Sequence, residues 1–522
     1  MLETREQPGE TAAARPEPAL AARERITLRR ALLIVLIGGA IAHLLVVGGA
    51  ALVITDDSLD YFGTAFPLHQ KGVFKVPAFR TPGYPLVLVL SFLMFGVNGV
   101  GVLITQHVLA IGTALCLTAI AARFVKPWVA MIIGLANAAS PTYLAFASVL
   151  LTESVSVFVF VFPAYVLLCW RRRPVLAAFV AMAFVGYAIL VRPGTQVVLP
   201  FFFMAAVAAG GAGVALSRPK RLAVVGAAAA GLLAVCGPWL AYNAKRGIYG
   251  FAQGGPAVMW VALAQQDLLD KNYPIPPEMA VRYAPMKSQV GASAEMWAFI
   301  ANPATTDTVK AQAPYIMKKW AYHSIMSRPG AYLGRLPWVF LWQLGRYPDT
   351  GFIKDGQFNW FFGMLAFDET IKPQSKFPST VISIKDPDID KLGIAGHGGW
   401  VRHFYWWYQL NYPEGLPEIP LCVLNVIAGV IAIRRKNWRL MWLLLASASI
   451  IGIHVFMLLA QNRYSLPAVA LWYGTGAVTL GAFFPRLRKI PHGQCPTCGY
   501  PYAGLPRESP CPECGTPRAA SA

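Results

Sequence analysis

The feature that most constrains this chain is a series of long apolar runs. A helix that spans a bilayer needs roughly 20 apolar residues, and ten runs meet or approach that length. They cover about 31–54, 100–122, 127–151, 154–170, 174–191, 194–209, 222–241, 418–433, 438–459 and 465–484. Hydrophobic residues make up 56% of the 522 residues and charged residues only 13%, so a soluble fold could not bury this surface. The runs predict an all-α polytopic membrane protein with about 10–13 transmembrane helices.

Basic residues are concentrated in short clusters between the apolar runs. The clusters are Arg29-Arg30, Arg171–Arg173, Arg218–Arg221, Arg434–Lys436 and Arg486–Lys489. Loops with this bias face the cytoplasm, and all of them fall on that side if the short segment Tyr84–Phe95 does not cross. That segment is therefore expected to be an interfacial or re-entrant helix. The net charge of +20 follows from these loops and does not indicate nucleic-acid binding.

This sidedness divides the chain into predicted regions. They are a disordered cytoplasmic tail at 1–27, an N-terminal membrane domain at 28–241 that contains a first outer loop at 55–99, an extracytoplasmic or interfacial region at 242–417, C-terminal membrane helices at 418–485 and a zinc ribbon at 490–518. The first apolar run is too long for a signal-peptide core and is expected to be an uncleaved helix. The apolar patch Leu336–Leu344 could lie at the interface or belong to an additional pair of spans. Both termini are expected in the cytoplasm.

Acidic residues are clustered at the beginning of the first outer loop. The loop reads Thr55-Asp56-Asp57-Ser58-Leu59-Asp60-Tyr61 and later Arg80-Thr81-Pro82-Gly83-Tyr84-Pro85. Three carboxylates beside a transmembrane helix are uncommon, although Asp also caps helices and this run could simply start a juxtamembrane helix. A carboxylate close to another acid can acquire a pKa suited to a general base. The cluster is therefore a candidate catalytic site.

The motifs of this loop resemble those of lipid-carrier-dependent glycosyltransferases of the polytopic C-type (GT-C) fold. This group includes bacterial protein O-mannosyltransferases and aminoarabinose transferases, and the matching patterns here are Asp57…Tyr61 and Arg80…Pro85. Three further runs fit the resemblance, namely Leu151-Thr152-Glu153-Ser154, Leu190-Val191-Arg192-Pro193 and Arg463-Tyr464-Ser465-Leu466-Pro467. The resemblance covers roughly 28–250 and 420–485. It does not extend to the rest of the outer region and leaves the acceptor open.

The resemblance implies transfer of a sugar from a polyprenyl-phosphate donor to an acceptor at the outer face of a bacterial inner membrane. Inversion at the anomeric carbon by direct displacement needs a single base. Asp57 is the expected base, with Asp60 second and Asp56 third. The resemblance further implies that substrate is bound by residues of the matched motifs, namely Tyr61, Arg80, Tyr84, Arg192, Arg463 and Tyr464.

An arginine fork suits the leaving phosphate because it binds oxygens bidentately. Arg463 is the leading candidate and Arg80 the next, whereas snorkelling to the interface is the alternative for Arg463 and Arg192. Lys71 and Lys75 are further possibilities.

Glu153 has three possible roles. It could hydrogen-bond the acceptor, hold a metal with Asp57 or cap the helix that follows it. Relatives that use a monophosphate carrier do not generally need a metal, so no catalytic metal is expected. His454 is expected to be a hydrogen-bonded core residue, whereas His69 could touch substrate. The aromatic run 404–408 could stack on a sugar, but an interfacial belt fits it better.

Four cysteines near the C-terminal end predict a structural zinc site. They form two C-x2-C pairs separated by twelve residues, and a Gly follows each pair: Cys495, Cys498, Cys511 and Cys514. Four thiolates make a closed tetrahedral site without an open position for catalysis. Two disulfides are the alternative, but Arg486–Lys489 places the segment in the reducing cytoplasm. Metal binding would supply most of the folding energy of so small a ribbon, which could dock a cytoplasmic partner or be a passive tail.

Other functional classes remain open at this stage. A transporter or flippase would usually carry charged or broken-helix sites in the middle of the membrane, whereas the acids here follow a span. A non-catalytic scaffold whose ribbon recruits a partner is a second alternative, and a membrane enzyme of different chemistry is a third. The remaining cysteines lie in or beside apolar runs and are expected to be inert: Cys116, Cys169, Cys236 and Cys422.

Overall fold

The computed structural model describes most of the membrane domain and parts of the outer region. The described residues are 27–47, 56–170, 173–208, 217–252, 259–260, 262–263, 268–270, 272–274, 307–343, 418–457 and 466–484. These residues form helices, turns and loops, and no β-strand occurs among them. The predicted all-α fold class is therefore confirmed. The predicted tail at 1–27 except for its last residue, the aromatic run 404–408 and the zinc ribbon lie outside the described residues.

The N-terminal half contains helices α1 to α10. In chain order they are α1 (Leu28–Val47), α2 (Asp56–Lys71), α3 (Gly83–Phe95), α4 (Gly99–Ala121), α5 (Pro127–Ala138), α6 (Pro141–Ala147), α7 (Glu153–Cys169), α8 (Pro174–Val191), α9 (Leu199–Val207) and α10 (Arg218–Lys245). A 3₁₀ segment, Pro193–Val198, joins α8 to α9. Helices α2 and α3 make up most of the predicted first outer loop.

The C-terminal half contributes α11 (Asp307–Ser327), α12 (Pro329–Gln343), α13 (Glu418–Arg434), α14 (Trp438–Phe456), α15 (Leu466–Thr475) and α16 (Ala477–Phe483). Among the described residues, six helical segments are long and apolar enough to cross a membrane: α1, α4, α8, α10, α14 and the continuous pair α15–α16. The other apolar helices, such as α5, α7 and α13, have 10–17 residues.

The helices surround one large apolar core that draws on both halves of the chain. Leu117 of α4, Phe160 of α7, Phe202 of α9 and Ile450 of α14 are all buried in it. Helix α1 instead exposes large side chains along its length, such as Leu44, which is 66% exposed. An apolar helix with an exposed apolar surface is typical of a lipid-facing span.

Glycine permits the close packing of α8 against α10. A Cβ atom on Gly231 would lie 2.2 Å from the carbonyl oxygen of Phe179, and one on Gly186 would lie 3.1 Å from Sγ of Cys236. Small residues let two backbones approach in this way, and such contacts are a main source of helix association in membranes.

The structure divides two runs that the apolar pattern predicts as single spans. The run 127–151 breaks after α5, and α6 begins at Pro141. The run 194–209 begins as the 3₁₀ segment, and only α9 within it is α-helical. Proline explains both breaks, because it lacks a backbone N–H and disfavours helical geometry in the preceding residue.

Helix α3 has 13 residues, which corresponds to about 20 Å and is shorter than the hydrocarbon core of a bilayer. This length agrees with the expectation that Tyr84–Phe95 does not cross the membrane. Residues 336–343 of the predicted patch Leu336–Leu344 form the end of α12. Tyr332 of the same helix donates a hydrogen bond to the carbonyl of Phe456 at the end of α14.

Candidate active site

The acidic cluster of the first outer loop is held by one arginine. Nε and Nη2 of Arg80 donate hydrogen bonds to Oδ2 of Asp60 over 3.0 and 2.9 Å. Nη2 also donates to Oδ1 of Asp57, and Nη1 lies 3.2 Å from the hydroxyl of Tyr61. The guanidinium thus contacts three residues of the first two turns of α2.

Local structure explains why these groups meet. Asp57 and Asp60 are three residues apart at the beginning of α2, so they share one face of the helix, and carboxylates are stabilised at a helix N-terminus. Arg80 follows a turn in which its backbone N–H donates to the carbonyl of Pro77 over 3.0 Å. Its guanidinium also lies over the Tyr61 ring, 5.0 Å from the centroid.

Partial burial changes the titration of these groups. Burial raises the pKa of Asp60 above its ordinary value, the Arg80 charge and hydrogen bond oppose this rise, and the charge of Asp57 adds to it. For Arg80, burial lowers the pKa, but Tyr61, Asp57 and Asp60 outweigh burial and raise it overall. Burial raises the pKa of Tyr61 to about 12. The Arg80 side chain is 22% exposed and that of Asp57 is 35% exposed, so both can be reached by a substrate.

A second ion pair lies where α7 begins and α8 ends. Nη2 of Arg192 donates to Oε1 of Glu153 over 2.7 Å, and the Glu153 side chain is only 1% exposed. Glu153 is the first residue of α7, and Arg192 directly follows the last residue of α8. Each charge therefore lies at the helix end whose dipole favours it.

Tyr61 contacts the first ion pair through Arg80 and packs in one apolar cluster with Leu151, Val155 and Val191, which flank the second. The charges of Arg80, Asp57, Glu153 and Arg192 all act on its hydroxyl. The ring of Tyr61 packs edge-to-face on that of Tyr84, with centroids 5.0 Å apart. The structure thus brings together most of the site residues predicted from the motifs, namely Asp57, Asp60, Tyr61, Arg80, Tyr84, Glu153 and Arg192.

Polar side chains that the sequence analysis did not single out fasten the site to the membrane helices. Ser58 donates to the carbonyl of Leu150 over 2.7 Å. The Tyr84 hydroxyl donates to Oε1 of Gln106, and Nε2 of Gln106 donates to the carbonyls of Ala147 and Val149. A glutamine inside an apolar run is the signal that could have revealed this anchor, because polar groups within membrane helices are costly.

A close backbone contact ties α3 to the end of α8. A Cβ atom on Gly83 would lie 2.4 Å from the backbone of Leu190 and Val191, and the Tyr187 hydroxyl donates to the Gly83 carbonyl over 2.7 Å. The Arg-x-Pro-Gly-Tyr-Pro run and Arg192 are therefore neighbours because glycine allows the two helix ends to touch.

The other predicted site residues lie away from this cluster or outside the described residues. Lys71 and Lys75 are exposed, and Asp56 is the first residue of α2. His69 packs edge-to-face on Phe92. Arg463, Tyr464 and the cysteines Cys495, Cys498, Cys511 and Cys514 lie outside the described residues.

The prediction that His454 is a hydrogen-bonded core residue is confirmed. It is 7% exposed, and its Nδ1 lies 2.6 Å from the carbonyl oxygen of Ile450. Within the described part of the chain, no three His, Cys, Asp or Glu residues form a group that could hold a metal ion.

No protein-family model matches this chain, and no curated protein sequence matches it. Among solved structures, the oligosaccharyltransferase of Archaeoglobus fulgidus in complex with Zn and sulfate has a TM-score of 0.40 and 13% identity, over 87% of this chain and 49% of that one. The AglB structure from the same organism, with an inhibitory peptide and a dolichol-phosphate, has a TM-score of 0.41 and 11% identity, over 88% and 50%. This chain thus spans about half the length of those proteins.

ArnT from Cupriavidus metallidurans bound to undecaprenyl phosphate has a TM-score of 0.33 and 17% identity, over 86% of this chain and 76% of that one.

Proposed function

We propose that this chain is an inverting membrane glycosyltransferase. It transfers a sugar from a polyprenyl-phosphate carrier to an acceptor at the extracytoplasmic face of a bacterial inner membrane. The observation that carries the proposal is the Asp57–Asp60–Arg80 cluster, which contacts Tyr61, together with the buried Glu153–Arg192 ion pair at the adjoining helix ends. Both lie at the ends of apolar helices, where a lipid-borne donor and a water-borne acceptor can meet.

Asp57 acts as the base in this proposal. The acceptor oxygen attacks the anomeric carbon while the bond from that carbon to the phosphate oxygen breaks, and the phosphate leaves with the bonding electrons. The acceptor proton moves to the Asp57 carboxylate. Arg80 orients Asp57 and Asp60, and its charge opposes the rise in the pKa of Asp60 that burial causes. A carboxylate positioned beside the acceptor is a competent general base.

Positive charge stabilises the leaving phosphate. We assign this role to Arg463 from its motif alone. Arg80 and Arg192 supply positive charge beside Asp57 and Glu153. Glu153 holds Arg192 in place through their ion pair. The alternatives of a transporter and of a non-catalytic scaffold are distinguished from an enzyme by the assay that follows.

The experiment is an in-vitro transfer assay with polyprenyl-phosphate sugars and the purified full chain in nanodiscs. Asp57→Asn should lower the transfer rate by about 100-fold or more, which is the usual effect of removing a general base. Asp60→Asn is the matched control, because it also removes a carboxylate from Arg80 but leaves the proposed base. Full activity of Asp57→Asn would show that the mechanism is wrong, and a larger loss in Asp60→Asn would move the base to that residue.

A further inference from the structure

A small buried cavity adjoins the candidate active site, since Glu153 lines it. The other polar side chains of its lining come from α1, α4, α5, α6 and α7, and they are His43, Thr113, Asn137, Tyr143 and Ser154. The cavity has room for roughly one water molecule. His43 and Asn137 are each only 2% exposed, so bulk solvent does not hydrate them.

Both of these side chains present an unsatisfied polar atom. Nε2 of His43 and Nδ2 of Asn137 are buried and have no hydrogen-bond partner. The carbonyl of Ala138 lies near the His43 ring but does not form a hydrogen bond with Nε2. Buried polar atoms are nearly always paired in native proteins, and two unpaired atoms on one cavity therefore indicate a polar ligand that serves both.

The other ring nitrogen of His43 belongs to a hydrogen-bonded histidine pair. Nδ1 of His43 lies 2.6 Å from Nδ1 of His107, and the rings are edge-to-face with centroids 4.8 Å apart. His107 is 3% exposed, and its Nε2 lies 3.4 Å from Oγ of Ser148. The pair thus links α1 to α4 and to the loop that leads into α7.

Hydrogen-bond accounting identifies water as the ligand. Two neutral imidazole nitrogens in contact share one N–H, so one ring donates and the other accepts. If His43 donates through Nδ1, its Nε2 is an acceptor; if His107 donates, Nε2 of His43 carries the proton. Nδ2 of Asn137 is a donor in both cases. A water molecule suits either arrangement, because it can accept from Asn137 and either donate to or accept from His43.

We propose that this cavity binds one ordered water that bridges His43 and Asn137, and that His43 and His107 are positioning residues for Glu153. The water lies against the Glu153 side chain, and the contact from His107 to Ser148 restrains the loop 148–152. Ser58 and Gln106 hold the same loop from the side of the active site. The positioning role rests on the proposed function, because Glu153 belongs to the site described there, whereas the water does not.

The water is tested without any measurement of activity. A cryo-EM structure of the full chain in nanodiscs, at a resolution that shows waters, should contain density between His43 and Asn137. Asn137→Leu fills similar volume and removes the donor, so the density should disappear. In thermal unfolding, a shared water makes the losses in Tm of His43→Leu and Asn137→Leu non-additive. The double variant should therefore be no less stable than the worse single variant, and fully additive losses or an empty wild-type cavity would overturn the bridge.

The positioning role is tested by rescue. His43→Gln keeps a donor and an acceptor on the side chain, whereas His43→Leu keeps neither. We expect His43→Leu to lower kcat about 10-fold with little change in KM, as a misplaced catalytic group does, and His43→Gln to recover most of that loss. Thr118→Val is the control, because the Thr118 hydroxyl is buried on α4 and donates to the Ala114 carbonyl of its own helix. It should retain wild-type activity.

Equal activity of the Gln and Leu variants would overturn the positioning role. If His43→Leu fails to fold, the comparison of wild type with His43→Gln and Asn137→Leu decides the matter, since Asn137→Leu should lower kcat and His43→Gln should not. A wild-type chain with no transferase activity would refute the proposed function, and the density and unfolding measurements would still test the water.

Discussion

Arg80 is the residue on which the geometry of the first outer loop depends. Its three guanidinium nitrogens contact Asp57, Asp60 and Tyr61, and no other cationic side chain type offers donors in this planar arrangement. The side chains of Arg80, Asp57 and Asp60 are 22–35% exposed. Ion pairs with that much solvent contact contribute little to stability, so the contribution of Arg80 should appear mainly in catalysis.

Arg80→Lys should therefore reduce kcat/KM by about 10-fold or more while leaving the Tm of the purified chain nearly unchanged. A lysine ammonium retains the charge but cannot engage both carboxylates and the Tyr61 hydroxyl in one plane. Transfer assays and thermal unfolding of the same preparations check the prediction. Lys318→Arg on α11 is the control for variant preparation, because Lys318 is exposed and the exchange should change neither the activity nor the Tm. A loss of Tm as large as the loss of activity would instead indicate a structural role.

The raised pKa of Asp60 leads to a prediction about pH. Burial, the largest cause, disfavours the ionised form in the folded protein. The folded state therefore binds the proton more tightly than the unfolded state, and stability declines as the pH rises from the ordinary value of 3.8 through the folded pKa. Asp60→Asn removes this titration, so its Tm relative to wild type should increase over that pH range. The two unfolding series should be compared in one detergent, and a relative Tm that decreases with pH would contradict the sign.

The contact between the start of α3 and the end of α8 sets the position of the first outer loop. Gly83→Ala would place a methyl group 2.4 Å from backbone atoms of Leu190 and Val191, and backbone cannot move aside as a flexible side chain can. We expect a lower Tm and a lower transfer rate, because Arg80 lies three residues before the displaced position.

Gly63→Ala is the matched control for this prediction. It lies in α2, where an added Cβ would meet nothing within 4 Å, and alanine favours a helix by about 1 kcal/mol over glycine. The control should keep full activity and should be equally or more stable than wild type. Similar losses in both variants would mean that the α3–α8 contact does not matter.

The apolar runs located the helices well at 100–122 and 174–191, which contain no proline after their first residue. The run 100–122 corresponds to α4, and the run 174–191 has the bounds of α8. The runs 127–151 and 194–209 were divided because hydropathy does not register the loss of backbone N–H groups at proline. Hydropathy measures how apolar a segment is, whereas backbone hydrogen bonding decides whether it stays helical.

The candidate site was predictable only in part. The motifs led to Asp57, Arg80 and Glu153, because charges beside apolar runs stand out in composition. The partners of those charges did not follow from the sequence: Arg80 forms ion pairs with both Asp57 and Asp60, and Arg192 pairs with Glu153. The expected binding of phosphate by Arg80 stays a prediction. The anchoring bond from Ser58 to Leu150 joins residues 92 positions apart, and no local pattern predicts a contact over that separation.

Two sets of contacts join helix ends that the predicted topology groups together, and which set lies outside stays a prediction. The end of α1, the start of α7 and the ends of α8 and α14 are all expected outside. Among them, Glu153 and Arg192 form an ion pair. At the ends expected inside, Arg439 of α14 donates to the carbonyls of Leu167 and Ala205. The ion pair and the Arg439 hydrogen bonds each join helix ends that the charge pattern assigns to the same side of the membrane.

This agreement predicts how the chain reacts with a membrane-impermeant maleimide. Gly63→Cys introduces an exposed thiol beside the proposed site, and Lys436→Cys introduces one in the exposed turn between α13 and α14. In spheroplasts, Gly63→Cys should be labelled, whereas Lys436→Cys should react only after the membrane is permeabilised. The native thiols Cys116, Cys169, Cys236 and Cys422 are buried or partly buried, so the wild-type chain should give little background.

The same experiment tests the proposed zinc ribbon. After permeabilisation, the ribbon cysteines should remain unreactive until a chelator removes the metal, because thiolates bound to zinc in a closed site are not available to the reagent. Cys495→Ser should lower the bound zinc and expose the other three thiols without chelator. Labelling of Lys436→Cys in intact spheroplasts would show that the predicted orientation is wrong and that the acidic cluster faces the cytoplasm. If the ribbon cysteines react only after reduction, they form disulfides and not a zinc site.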